Sequence, residues 1–462
     1  MSGEAAAAAS PAGLPSHPIR GDLARLGRLA WPVVVSRLGV MTMGLTDTIV
    51  VGRHSAVELG YMALGWAATG AFLGSAMGLL SGVQVMASRA TGEGDSMAAG
   101  AALRRGLVYA LWVGFGAAAL IALAAPALLG AVGLKGGLAR GATGPALVLA
   151  ASMPSFAISV AAASWLEGLG RMTPPMALMW AANLLNLGID LVLVPGGFGL
   201  PALGAIGATT ATFSARTFLA VATLAYIALM PEARALGVFR KPERSRAAEI
   251  EQRRIGYGAA ASNFFEMGAF SGLNVIAGWI SPVTVAAWAL TVSVLALIFM
   301  VPAGLSTATA VLVGRAYGAA DRAGLKRAAA VGFAVTAVFG LAIGLVSWPF
   351  VRQIAALYTY DGQTIALAAG ALALCTVFYL PDAIQVVVAQ ALRARGDVLA
   401  PTLTHLTSYI VVMLPLAWWL AIPLGWGIGG ITWAIVVSAY VSAGLLLGRF
   451  WMLARRDRGL SP

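Results

Sequence analysis

Long apolar stretches dominate the chain, and short polar breaks interrupt them. Twelve of these stretches read as membrane-crossing helices: 31–52, 61–87, 106–134, 141–166, 173–197, 202–231, 256–280, 283–313, 328–351, 363–392, 398–420 and 428–449. At about 1.5 Å of rise per residue, each can cross a hydrocarbon core of roughly 30 Å, and the longer ones require tilt or extension past the membrane. One polar break is long. Residues 232–255 carry seven basic and four acidic side chains and separate six spans from six. The pattern predicts an all-α integral membrane protein of twelve transmembrane helices in two six-helix lobes. The expected division is a disordered tail at 1–27, an N-lobe at 28–231, a basic linker at 232–255, a C-lobe at 256–450 and a second tail at 451–462.

The halves also match each other. SRATGEGD (88–95) follows the second span and GRAYGAAD (314–321) follows the eighth, so Arg89, Ala90, Gly92 and Asp95 align with Arg315, Ala316, Gly318 and Asp321 at an offset of 226. Gly170 and Gly396, and Pro175 and Pro401, share that offset. A six-helix repeat keeps both copies in one membrane orientation, so the lobes are expected to be related by a pseudo-two-fold axis along the membrane normal. Two equivalent lobes around a cavity suit alternating access better than a fixed pore.

Composition agrees with a membrane protein: 60% of residues are hydrophobic, 10% are charged, and mean hydropathy is +0.85. The net charge of +12 invites a nucleic-acid reading, but its placement excludes one. With the N-terminus in the cytoplasm, 24 of the 30 Lys and Arg residues fall on the cytoplasmic side, as the positive-inside rule requires. No surface interleaves basic and aromatic residues as a nucleic-acid groove does. The expected setting is the inner membrane, with both termini cytoplasmic. The first 19 residues lack the apolar core of a cleavable signal. The single cysteine, Cys375, lies in a span and implies no disulfide framework.

Within this apolar background the buried charges carry the functional signal. Asp47, Asp190, Glu266 and Asp382 fall inside spans, where a charge costs roughly 2.5–3.5 kcal/mol on insertion scales and therefore faces a cavity or a partner. Asp47 and Asp190 lie roughly 8–10 Å from the outer ends of their spans, and Asn186 sits one turn before Asp190 on the same helix face. Thr212 reaches this level from the sixth span. Such oxygens suit Na⁺ at Asp47 and Asp190, and the carboxylates alone can carry a proton. Glu266 and Asp382 lie deeper, roughly 20–27 Å from the outer ends of theirs, as a second acidic site open to Na⁺ or H⁺. Phe265, Phe270 and Trp288 are candidate cavity aromatics, able to add cation–π contact or simply to pack. Arg37 and Arg216 also fall inside spans. His405 reads best as a hydrogen-bonded helix contact, and the GxxxG at Gly268 and Gly272 as close helix packing.

These residues bring a resemblance with them. TDTIVVG (46–52), NFFEMGAF (263–270), LPDAIQVVVAQALRARGD (380–397) and GRAYGAAD together resemble the multidrug and toxic compound extrusion (MATE) family, in its NorM-type bacterial branch. The likeness runs from about residue 25 to 450. It implies two lobes forming a V and antiport of organic cations or drugs against Na⁺ or H⁺, with no further cofactor and no obligate protein partner. It also implies coupling roles for Glu266 and Asp382 in the C-lobe and for Asp47, Asn186, Asp190 and Thr212 in the N-lobe. Asp190 and Arg37 depart from the NorM-type pattern and leave open which lobe couples. A lipid-precursor flippase of the same wider superfamily is the alternative, and it would favour a basic cavity. No metal-spaced His/Cys set, Ser/His/Asp arrangement or nucleotide fingerprint supports an enzyme.

Overall fold

The polar breaks predicted by the sequence become tight, capped turns between long helices. The computed structural model describes residues 18–131, 137–197, 199–241 and 245–456. The N-lobe comprises α1 (Pro18–His54), α2 (Ala56–Glu93), α3 (Ser96–Ala131), α4 (Leu138–Ala151), α5 (Met153–Gly168), α6 (Thr173–Leu193) and α7 (Gly204–Leu229). The C-lobe comprises α8 (Arg246–Ile280), α9 (Pro282–Gly318), α10 (Arg322–Ser347), α11 (Val351–Ala356), α12 (Gly362–Ala394), α13 (Leu399–His405), α14 (Leu414–Ala421) and α15 (Gly427–Arg456). A π-helical stretch, Leu406–Met413, joins α13 to α14 in one continuous span. The fourth span is α4 and α5 together, bent by 40° at Ser152.

Ten described spans are long and apolar enough to cross a membrane, and the bent pair makes an eleventh. The twelfth, α8, has the length at 35 residues but not the apolarity, because it carries Ser262, Asn263 and Glu266 in mid-helix. That helix lines the interior of the protein.

The duplicated motif explains its own turns. Asp95 Oδ1 accepts the Ala98 N–H and Asp321 Oδ1 accepts the Gly324 N–H, both at 2.8 Å, capping α3 and α10 at their starts. Gly94 turns the first copy at φ +75°, while Ala320 takes the equivalent place in the second at φ +53°, where a Cβ is strained. Gly170 and Gly396 end α5 and α12 in the left-handed region, at φ +73° and +96°.

Three boundaries differ from the sequence reading. The segment 18–27, expected as tail, is helical, and Leu26 is buried with Leu29 and Val33 in a cluster shared with α9, α10 and α12. Its apolar residues recur at helical spacing, so burial against the C-lobe orders it. Similarly α8 begins at Arg246 and α15 runs to Arg456, which shortens the linker and the second tail. Residues 1–17, 242–244 and 457–462 of these segments lie outside the described residues.

The lobes meet along the half of the bundle that carries the linker, from its end to mid-helix. Gly78 packs on Ala260, Gly82 on Gln252, Gly256 on Leu79 and Gly304 on Val34, each with too little room for a Cβ. Val85 of α2 packs with Ile255 and Val398 of the C-lobe in the same region. Asn263 Nδ2 adds a cross-lobe hydrogen bond to the Gly74 carbonyl at 3.1 Å.

Candidate functional site

Between the lobes lies a cavity of about 970 Å³, walled by α1, α2, α5, α6 and α7 on one side and α8, α9, α12 and α13 on the other. Its size suits a drug-sized guest. The C-lobe wall presents Glu266 and Asn263 from α8, Gln390 and Arg393 from α12, and His405 from α13. Arg393 is buried. Its guanidinium donates to Ser262 Oγ at 2.7 Å and Gln390 Oε1 at 2.8 Å and lies within electrostatic reach of Glu266. Asp382, one face behind, is close enough to Glu266 for the two carboxylates to interact. Gln385 Nε2 donates to Asp382 Oδ1 and to Tyr409 Oη, both at 2.9 Å, which fixes the Asp382 carboxylate toward the core.

The N-lobe wall presents Arg37 and Glu167 within electrostatic reach of each other, together with Arg216, Trp66 and Phe156. Arg216 Nη1 donates to Ser152 Oγ at 2.7 Å, and its guanidinium stands 5.0 Å from the Phe156 ring and 5.4 Å from the Trp66 ring. Behind Arg216, and interacting with it, is Asp47. Asp47, Asn186, Asp190 and Thr212 are each fully buried and come together there. Thr212 Oγ1 donates to Asp47 Oδ2 at 2.7 Å. Asp47 Oδ1, both Asp190 oxygens and the Asn186 amide make no well-formed hydrogen bond among the described residues. Converging buried oxygens of this kind suit a small hard cation, or a proton shared between the carboxylates. No group of three or more His, Cys, Asp or Glu side chains is set to hold a metal among the described residues, so the donor set here is mixed: two carboxylates, an amide and a hydroxyl.

Comparison with known proteins adds the lineage. The family model described as MatE matches this chain twice, over residues 32–192 and 259–419. The chain belongs to the MatE family. The two MatE matches start 259 − 32 = 227 residues apart, within one residue of the offset shared by the duplicated loops. The chain is 57% identical to a probable multidrug resistance protein NorM of Caulobacter vibrioides, over 96% of this chain and 94% of that one. It is 28% identical to the multidrug resistance protein PmpM of Pseudomonas aeruginosa, over 90% and 86%. Among solved structures, a MATE crystal structure in the bent conformation superposes with a TM-score of 0.87 at 22% identity, covering 96% of this chain and 98% of that one. The eukaryotic MATE transporter AtDTX14 superposes at 0.86 and 17% identity, covering 96% and 99%.

In this MatE protein the sequence-predicted N-lobe residues form one cluster, and Glu266 and Asp382 form a second. The candidate aromatics are placed otherwise. Trp288 is fully buried in the C-lobe core, Phe270 packs against that core, and Phe265 is absent from the cavity wall, because the face of α8 that meets the cavity is set by Asn263 and Glu266. Trp66, Phe156 and Phe299 line the cavity instead. His405 is not the hydrogen-bonded contact expected: both ring nitrogens lack a partner among the described residues, and the ring lies 5.5 Å from that of Tyr409. Sequence reasoning also missed Arg393 and Glu167, because both helices run past the predicted span ends. The repeat held the missing signal, since 393 − 226 = 167 pairs them.

Proposed function

We propose that this MatE protein is a secondary active multidrug exporter, moving organic cations or amphipathic toxins out of the cell in exchange for Na⁺ or H⁺. The observation that carries the reading is Glu266, a carboxylate in the wall of a drug-sized cavity between two pseudo-equivalent lobes. The names of its relatives support multidrug transport rather than an enzyme activity. The linker end, where the lobes meet, is taken as cytoplasmic on the charge distribution, so the cavity opens by rocking of the lobes toward either face in turn.

The chemistry follows from the charges on the cavity wall. Glu266 attracts an incoming cation in competition with Arg393, so guest and coupling ion exchange without leaving a bare charge in a low-dielectric site. Asp47 and Asp190, sealed behind Arg216, offer a second cation site. Arg37, Arg216 and Arg393 would favour an anionic headgroup if they stood free, as a lipid-precursor flippase needs. Each is engaged instead by a carboxylate or its polar neighbours: Glu167 lies near Arg37, Asp47 near Arg216 and Glu266 near Arg393, with Asp190 and Asp382 adding a further acid beside Asp47 and Glu266. The test is efflux of a fluorescent organic cation from reconstituted vesicles under separately imposed Na⁺ and proton gradients. Export driven by one of them supports the reading, and export driven by neither overturns it.

A further inference from the structure

The duplicated arginines reach across the interface rather than into their own lobes. Arg89, on α2, is buried against the C-lobe. Its Nε donates to the Ala394 carbonyl at 2.8 Å and its Nη2 to the Arg393 carbonyl at 3.2 Å, an acceptor it shares with the Gly396 N–H at the end of α12. Its Nη1 lies 3.4 Å from Glu251 Oε1 of α8, and the guanidinium stands 5.0 Å from the Tyr317 ring of α9. A cation at a helix C-terminus is favourable, and a two-pronged guanidinium fixes direction as well. Arg315, on α9, takes the equivalent place at the other crossing, although its Nε finds no hydrogen-bond partner among the described residues. Its guanidinium lies against Gly170 at the end of α5, so closely that a side chain at 170 would collide with it. Gly170 and Gly396 are themselves one repeat apart (396 − 170 = 226). The crossing is reciprocal as well: a Cβ at Gly92 would strike the Arg315 carbonyl, and a Cβ at Gly318 would strike the Arg89 carbonyl.

The held peptide leads directly to the cavity. Arg393, whose carbonyl Arg89 grips, is the residue whose side chain faces Glu266. Its repeat partner Glu167 faces Arg37 in the cavity and gives its own carbonyl to the Gly170 N–H at 2.8 Å, beside Arg315. One residue on each side therefore joins the interface to a cavity charge.

We propose that Arg89 and Arg315 form a reciprocal latch holding the lobes together at the linker end, and that the Arg89 arm senses the charge on Glu266 through Arg393. When a cation or proton neutralises Glu266, Arg393 loses its counter-charge, the last turn of α12 loosens, and the two carbonyls that Arg89 holds move apart. The two glycines permit the close crossing that the latch needs. The inference rests on the alternating-access reading but is measured without transport.

The test uses full-length protein in lipid nanodiscs with Cys375→Ser and Val85→Cys, a position buried between the lobes beside the latch. The rate of labelling by a water-soluble maleimide reports opening of the linker end. We expect slow labelling in this parent, at least tenfold faster labelling in Arg89→Ala and in Gly318→Ala, and an intermediate rate in Arg89→Lys. Glu266→Gln should speed labelling several-fold in the parent and add nothing in the Arg89→Ala background. Unchanged rates in both Arg89→Ala and Gly318→Ala would overturn the latch. Multiplying effects of Glu266→Gln and Arg89→Ala would overturn the sensing arm. A parent whose labelling ignores saturating tetraphenylphosphonium would instead overturn the alternating-access reading beneath both.

Discussion

In the N-lobe, Asp47 and Asp190 are fully buried with Asn186 and Thr212, and Arg216 stands between them and the cavity with its guanidinium against Trp66 and Phe156. In the C-lobe, Glu266 is part of the cavity wall itself, with Arg393 beside it and Asp382 tied back to Gln385. The same ingredients, a pair of carboxylates and an arginine, are thus arranged differently. In the N-lobe Arg216 lines the cavity and the Asp47–Asp190 pair lies behind it, whereas in the C-lobe Glu266 and Arg393 line the cavity side by side. Size separates the sites further: in the proposed function the buried oxygen cluster would take only a proton or a bare ion, whereas the carboxylate on a cavity of about 970 Å³ would take either an ion or a drug-sized cation. Duplication preserved the frame and let the chemistry diverge.

The contrast is broken most severely at Glu266. Glu266→Gln keeps the shape and hydrogen bonding but removes the exchangeable charge, so gradient-driven export should fall at least tenfold while folding and insertion stay normal. Vesicle efflux with expression and thermal melting as controls reads this, and undiminished export would move the coupling to the N-lobe. Arg393→Gln should come next. It leaves the Glu266 carboxylate without the cation in its electrostatic reach, so melting should fall and Glu266→Gln should restore part of it. Additive losses in the double variant would mean that the two side chains do not compensate each other.

The N-lobe cluster should give a subtler result. Asp47→Asn and Asp190→Asn should each weaken cation binding, yet the double variant should be little worse than the more damaging single one, because groups that bind one ion act as a unit. Calorimetric titration with Na⁺, or with protons by pH jump, distinguishes this from independent sites, for which the effects add. The smallest effect belongs to the repeat itself. Ala320 holds the left-handed turn that Gly94 holds in the other half. Ala320→Gly should therefore stabilise the protein by about 1 kcal/mol, the cost of placing a Cβ in that region, and denaturant melting that shows no gain would remove the strain argument.

Much of this was legible in the sequence. Eleven of the spans pass on apolar length and α8 on its length alone, and the acids at 47, 190, 266 and 382 stand out because carboxylates are rare inside such spans. Asn186 and Thr212 could be placed with Asp47 by depth and helix face, and they do meet. What stayed hidden depends on where helices end and which way they face. Glu167 and Arg393 fell just outside spans drawn by hydropathy, although the helices continue through them to 168 and 394. Phe265, Phe270 and Trp288 sat near Glu266 in sequence or on the next helix, but nearness along a chain does not choose between cavity and core. Trp288 is fully buried in the same cluster as Ala287 and Leu290. The cross-lobe role of Arg89 was also unreadable, since the repeat marks a position as duplicated without saying what it touches.

The central claim is that the guest and the coupling ion contend for Glu266, while the N-lobe cluster is closed to the guest. Equilibrium binding of a fluorescent organic cation to purified protein, titrated against Na⁺ and separately against protons, tests it most directly. The account predicts that one of these ions displaces the cation competitively, that Asp47→Asn leaves this competition intact, and that Glu266→Gln abolishes it. Competition that survives Glu266→Gln and disappears in Asp47→Asn would contradict the account.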